Sequence, residues 1–122
     1  MSALALKELP SPSLAPGEDA IDLDHLSRMT LGDRSLELEV LTLFCRQAEI
    51  MLRRMNAADP AVTAAAAHTL RGSALGVGAW RVARAAKTVE QTSTVMLAGA
   101  IGALSNAIDE AKIAIAGLLR AH

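Results

Sequence analysis

The sequence predicts an all-α protein, an antiparallel up-down four-helix bundle preceded by a short extra helix, and three observations carry that prediction. Alanine is the commonest residue and is joined by Leu, Met, Glu and Arg, side chains that lose little rotamer freedom in a helix. Tyr is absent, and Phe44 and Trp80 are the only aromatics, a poor supply for a β-sheet core. Apolar residues recur at steps of three and four along four long segments, the period of a helix with one buried face. Short breaks separate these segments, and short connections make antiparallel neighbours. At 122 residues the chain is long enough to build one core without disulfides or a structural metal.

Residues 1–20 hold Pro10, Pro12 and Pro16 with Ser11, Ser13 and Gly17 between them, which predicts a flexible leader. The bundle domain is expected over residues 21–122. Asp22 is a good N-cap for a short helix through Leu23, Leu26 and Met29 that stops before Gly32. Asp33 caps the next start. From Arg34 to about Ala57, the residues Leu36, Val40, Leu43, Phe44, Met51 and Met55 predict one buried stripe on a long helix. Asp59 then precedes Pro60, a capping side chain followed by proline at the first helical position, where its missing N–H is no loss. This helix is expected to run to about Leu75 and to break over Gly76, Val77 and Gly78. Trp80 to about Met96 reads as the next, with Val82, Ala86 and Val89 inward and a break at Ala98, Gly99 and Ala100. Ile101 to Ala121 forms the last, on a stripe of Leu104, Ile108, Ala111, Ile115 and Leu118.

The formal net charge is −1 with a pI near 6.3, which removes a bulk electrostatic case for nucleic acid or an anionic membrane as partner. The opening residues carry no basic start, and Lys7 and Glu8 cut their apolar run, so no secretory signal is expected. The apolar stretch from Val95 to Leu104 is too short to span a bilayer, which needs about 20 residues. A lone Cys45 cannot form an internal disulfide, consistent with a reducing compartment. A cytoplasmic protein is predicted. Of the three histidines, His25, His68 and His122, none belongs to a metal-binding pattern: Ala65 stands where a bundle site would place a Glu before His68. Cys45, beside Phe44 and one turn from Leu41 and Ala48, reads as a small hydrophobe rather than a nucleophile.

His68 is the candidate with chemistry. On the helix that starts at Pro60, Leu70 lies about 200° round and leads the inward stripe through Ala74, so the imidazole points outward. Arg71 and Gly72 follow at spacings of three and four, which makes them its neighbours on the same face. A mid-helix glycine costs about 1 kcal/mol relative to alanine, so Gly72 implies close approach by another molecule. The helix climbs about seven residues beyond His68, turns, and returns over a similar distance, which brings Glu90 opposite the ring, with Gln91 and Lys87 as competitors. A carboxylate there would accept Nδ1–H and leave Nε2 as an outward lone pair, the nucleophile for a phosphoryl group whose charge Arg71 would neutralise.

The run His68, Thr69, Leu70, Arg71, Gly72, Ser73, continuing to Gly78 and Ala79, resembles the signature of histidine-containing phosphotransfer domains: His, any residue, Leu, Lys or Arg, Gly, then Ser or Ala, and later Gly-Ala. The short first helix, the long second helix with its central Phe44, and a carboxylate or amide at Glu90 match as well, so the resemblance covers about residues 20–120. It implies that His68 is phosphorylated, that Arg71 is the cation beside it where lysine is commoner, that Gly72 clears the docking surface, and that Glu90 holds the ring. The implied partners are receiver domains of response regulators and hybrid sensor kinases, with phosphoryl passing from one receiver aspartate to another. No cofactor is implied on this chain, and Mg²⁺ would belong to the receiver's acidic pocket. A phosphate loop of the Gly-x-x-x-x-Gly-Lys-Ser/Thr type is absent, so no ATP-dependent kinase activity is expected. The rival reading is a helical adaptor whose same face binds receivers or other helices without accepting phosphate.

Overall fold

Local chemistry sets most of the helix boundaries. In the computed structural model, which describes residues 19–57 and 59–121, every regular element is helical: α1 (Leu23–Met29), α2 (Arg34–Ala57), α3 (Pro60–Val77), α4 (Trp80–Gln91), a 3₁₀ turn (Thr94–Met96) and α5 (Leu97–Arg120). The expected leader lies almost wholly outside the described residues, as does His122. Three aspartates cap helix starts, each accepting a backbone N–H at 3.0 Å: Asp22 from His25, Asp33 from Leu36 and Asp59 from Val62. Pro60 occupies the first turn of α3 as expected. Gly78 closes α3 at φ 81°, its N–H bonding to the carbonyl of Ala74.

Three boundaries differ from expectation. α3 runs through Gly76 to Val77, because the left-handed stop is Gly78 alone. α4 ends at Gln91, not near Met96: Thr92 and Ser93 are extended, with ψ of 141° and 158°. The Thr88 and Thr92 hydroxyls turn back onto the carbonyls of Arg84 and Thr88, a local competitor to helix bonding. α5 then begins at Leu97 and passes straight through Gly99 and Gly102. Each of these glycines costs about 1 kcal/mol in a helix, a cost offset by the long buried stripe they precede.

The core is a four-sided bundle. α2 packs on α3 and α5, α4 packs on the same two, and α1 lies across the ends of α2 and α3. Leu41, Leu70, Leu104, Ile108, Ile115, Val82 and Val89 are fully buried, each contributing about 1.5–3 kcal/mol by leaving water. From α3, Ala66, Ala67 and Ala74 also point inward, and their size lets its backbone approach its neighbours closely. On α2 the stripe differs in part from the expected one. Phe44, Met51 and Met55 are buried as expected and Val40 packs partly buried against the core, but Leu36 and Leu43 are 40% and 54% exposed, and Leu41 and Ala48 take their place. This helix carries two apolar rows at helical spacing, and only packing decides which faces inward.

α1 is fastened to the α3–α4 turn. The Asp22 N–H bonds to the Gly78 carbonyl at 2.9 Å, and the Trp80 indole N–H donates to the Asp22 carboxylate at 3.0 Å. The N–H of His25 and the indole together hold that carboxyl below its usual range. A Cβ on Gly78 would stand 3.0 Å from the Asp22 carbonyl oxygen and 3.3 Å from the His25 ring, at a φ that L residues rarely adopt. Gly78→Ala is therefore expected to cost about 2 kcal/mol and to lower the melting temperature by roughly 10 °C. Thermal unfolding followed by Trp80 fluorescence measures this, and an unchanged midpoint would show that the turn relaxes freely.

Candidate functional site

α3 and α4 place the site's side chains because their shared turn sets the register between them. Leu70, Ala74 and Val77 face the core, which turns His68 outward, its side chain 68% exposed. Ten residues past Trp80, Glu90 returns to the level of the imidazole, and its Oε1 lies 3.1 Å from His68 Nδ1. An ionised carboxylate can only accept, so Nδ1 carries the proton in this contact and Nε2 keeps its lone pair. No described residue bonds Nε2. Of the three candidates at this level of α4, Glu90 is the one brought to the ring.

Glu90 is more enclosed than His68, with its side chain 18% exposed. Its second oxygen, Oε2, is buried and has no hydrogen-bond partner among the described residues, but Arg71 Nε stands 3.4 Å away as an ion-pair contact. One carboxylate thus serves both the imidazole and the guanidinium, which ties Arg71 beside the ring with its side chain 31% exposed. Gly72 is exposed, and a Cβ there would meet nothing within 4 Å. The gap beside the imidazole opens to solvent and receives no neighbour within the fold.

The two flanks of the histidine differ. Toward α2 the surface is mostly apolar: Val40, Leu43, Phe44, Ile50 and Val77 line a shallow groove with Ser73, Gln47 and a single cation, Arg46. Toward α4 it is basic. Arg71, Leu75, Trp80, Ala83, Arg84 and Lys87 line a second groove, and no carboxylate is among them. Reasoning from sequence missed the Arg71–Glu90 contact and both grooves. A signal for the basic one was present, since Arg84, Lys87 and Glu90 follow at steps of three and must share one face of a helix.

The other candidates lie elsewhere. His25 packs edge-on against Trp80 with ring centroids 4.8 Å apart. Cys45 is half-buried among core residues, and burial pushes its thiol up, away from the thiolate a nucleophile needs. Among the described residues no group of three or more His, Cys, Asp or Glu could hold a metal ion, and no helix is long and apolar enough to cross a membrane.

Comparison with known proteins gives a family and a shared fold. The family model described as Hpt domain matches residues 39–120. The fold is shared with the crystal structure of a rice protein described as a histidine-containing phosphotransfer protein, at a TM-score of 0.73 and 20% identity, covering 95% of this chain and 89% of that one. No curated protein sequence matches the chain.

Proposed function

The chain belongs to the Hpt domain family, and on that premise we propose that His68 carries a phosphoryl group between aspartates of two receiver domains. The observation that carries the proposal is the pairing of an exposed Nε2 with an Nδ1 held by Glu90. In the first step the Nε2 lone pair attacks the phosphorus of an aspartyl phosphate. A P–N bond forms as the P–O bond breaks, and the electron pair leaves on the receiver's regenerated carboxylate. Nδ1 keeps its proton throughout, and the positive charge gained by the ring is stabilised by Glu90. A second receiver aspartate then takes the phosphoryl group by the reverse chemistry, and the ring returns neutral. Arg71 offsets charge on the transferring oxygens, while Gly72 lets the receiver approach. Any Mg²⁺ would be held by the receiver's carboxylates and would offset phosphoryl charge there. Positioning and charge compensation are most of what phosphoryl transfer asks of a protein.

The test is direct. Receiver domains from the same cell, charged with acetyl phosphate and Mg²⁺, are mixed with the protein, and label on this chain is expected to be acid-labile and base-stable. Binding to receivers without any such label would overturn transfer in favour of the adaptor reading. Within this mechanism Glu90→Ala frees the ring tautomer and is expected to slow transfer about tenfold, the loss of one charge-assisted hydrogen bond part-exposed to water. Single-turnover kinetics measure it, and a rate equal to wild type would retire Glu90 from its role.

A further inference from the structure

We propose that the α3–α4 groove is an electrostatic docking surface for the acidic rim of the receiver's phosphoryl pocket, with Lys87 as a specificity-determining residue; this rests on the phosphotransfer reading above. The charge is concentrated there. In a chain whose formal net charge is −1, the α3–α4 hairpin carries Arg71, Arg81, Arg84 and Lys87 against Glu90 alone. Arg81 turns away to Glu110 at 3.1 Å, and the other three cations line one groove. That groove leaves His68 at Arg71 and runs along the hairpin toward Trp80, so its cations stand within one to three helical turns of the imidazole.

Lys87 is the distinctive member. Arg71 is already committed to Glu90, whereas Lys87 is exposed and makes no ion pair with any described residue. The partner of fitting chemistry follows from the reaction. A pocket that holds Mg²⁺ beside an aspartyl phosphate is built from carboxylates, so its rim is acidic. Seating that pocket over His68 places the rim against the α4 side of the site. The groove on the α2 side has one cation, Arg46, among mostly apolar residues, against three on the α4 side, so the stronger positive charge lies on the α4 side of the receiver's seat. Rim charges of this kind act on the association rate and its salt dependence more than on the chemical step.

The experiment compares wild type, Lys87→Gln and Lys87→Glu as acceptors from one acetyl phosphate-charged receiver, at about 0.02 M and about 0.5 M NaCl, where the screening length falls from tens of ångströms to a few. Lys87→Glu is expected to lower the second-order transfer constant about tenfold at low salt, with Lys87→Gln between it and wild type, and the differences should close at high salt. The maximal rate at saturating receiver should stay unchanged, as should labelling of His68 by phosphoramidate, a small donor that needs no docking. Equal transfer constants with equal salt slopes would overturn the docking role while leaving phosphotransfer intact. Failure of wild type itself to accept label from any receiver would instead remove the reading on which it rests.

Discussion

A His68→Gln variant takes up no acid-labile label from any charged receiver, while its stability stays within about 0.5 kcal/mol of wild type. The first half follows from the chemistry, since Gln offers no lone pair that attacks phosphorus, and His25, the other described histidine, is packed against Trp80 at the far side of the α3–α4 turn. The second half follows from exposure. His68 contributes almost nothing to the core, its side chain being 68% exposed, and a Gln amide can still donate to Glu90. The two readouts together separate the rival readings. Loss of label with retained receiver binding is the signature of a lost phosphoryl acceptor on an intact docking surface. Label that persists in the variant would place the acceptor on another residue and end the case for His68.

How much of this was legible beforehand depended on whether the signal was local. Asp59 and Pro60 mark the start of α3 by themselves, because a cap and a missing N–H act within one turn. His68 pointing outward was equally legible, since the rotation from Leu70 to His68 is fixed by helix geometry. Glu90 followed from rise per residue once the turn at Gly78 was placed, and the shared turn kept the counting error small. Expectation failed where two solutions satisfied the same periodicity. On α2, Leu36 and Leu43 follow helical spacing with Phe44 as well as Leu41 and Ala48 do, and only contact with α3 and α5 buries the latter two. Between α4 and α5 the glycines suggested a stop that long-range burial overrode, while Thr92 and Ser93 supplied the real one. The Arg71–Glu90 contact joins the same two helices as His68–Glu90, but that one carboxylate also reaches Arg71 depends on side-chain rotamers, which spacing does not fix.

Gly72→Gln is expected to stabilise the protein and abolish most of its transfer. A glycine in mid-helix is about 0.5–1 kcal/mol less favourable than a good helix former, and a Cβ at this position meets nothing within 4 Å, so the fold accepts the larger side chain without strain. The same empty space is where the receiver must come to bring its aspartyl phosphate within bonding distance of Nε2. A Gln side chain one turn from the imidazole fills that approach. Displacement of the reacting atoms by about 1 Å is enough to cost roughly a hundredfold in rate, and that loss is expected in single-turnover transfer. Phosphoramidate, which is small enough to pass the new side chain, should still label His68. Opposite signs for stability and transfer are the informative outcome, because a residue kept for structural reasons would lose both together. Transfer at the wild-type rate in a stabilised Gly72→Gln protein would show that the receiver approaches from the α4 side alone, leaving the gap beside the imidazole without a function.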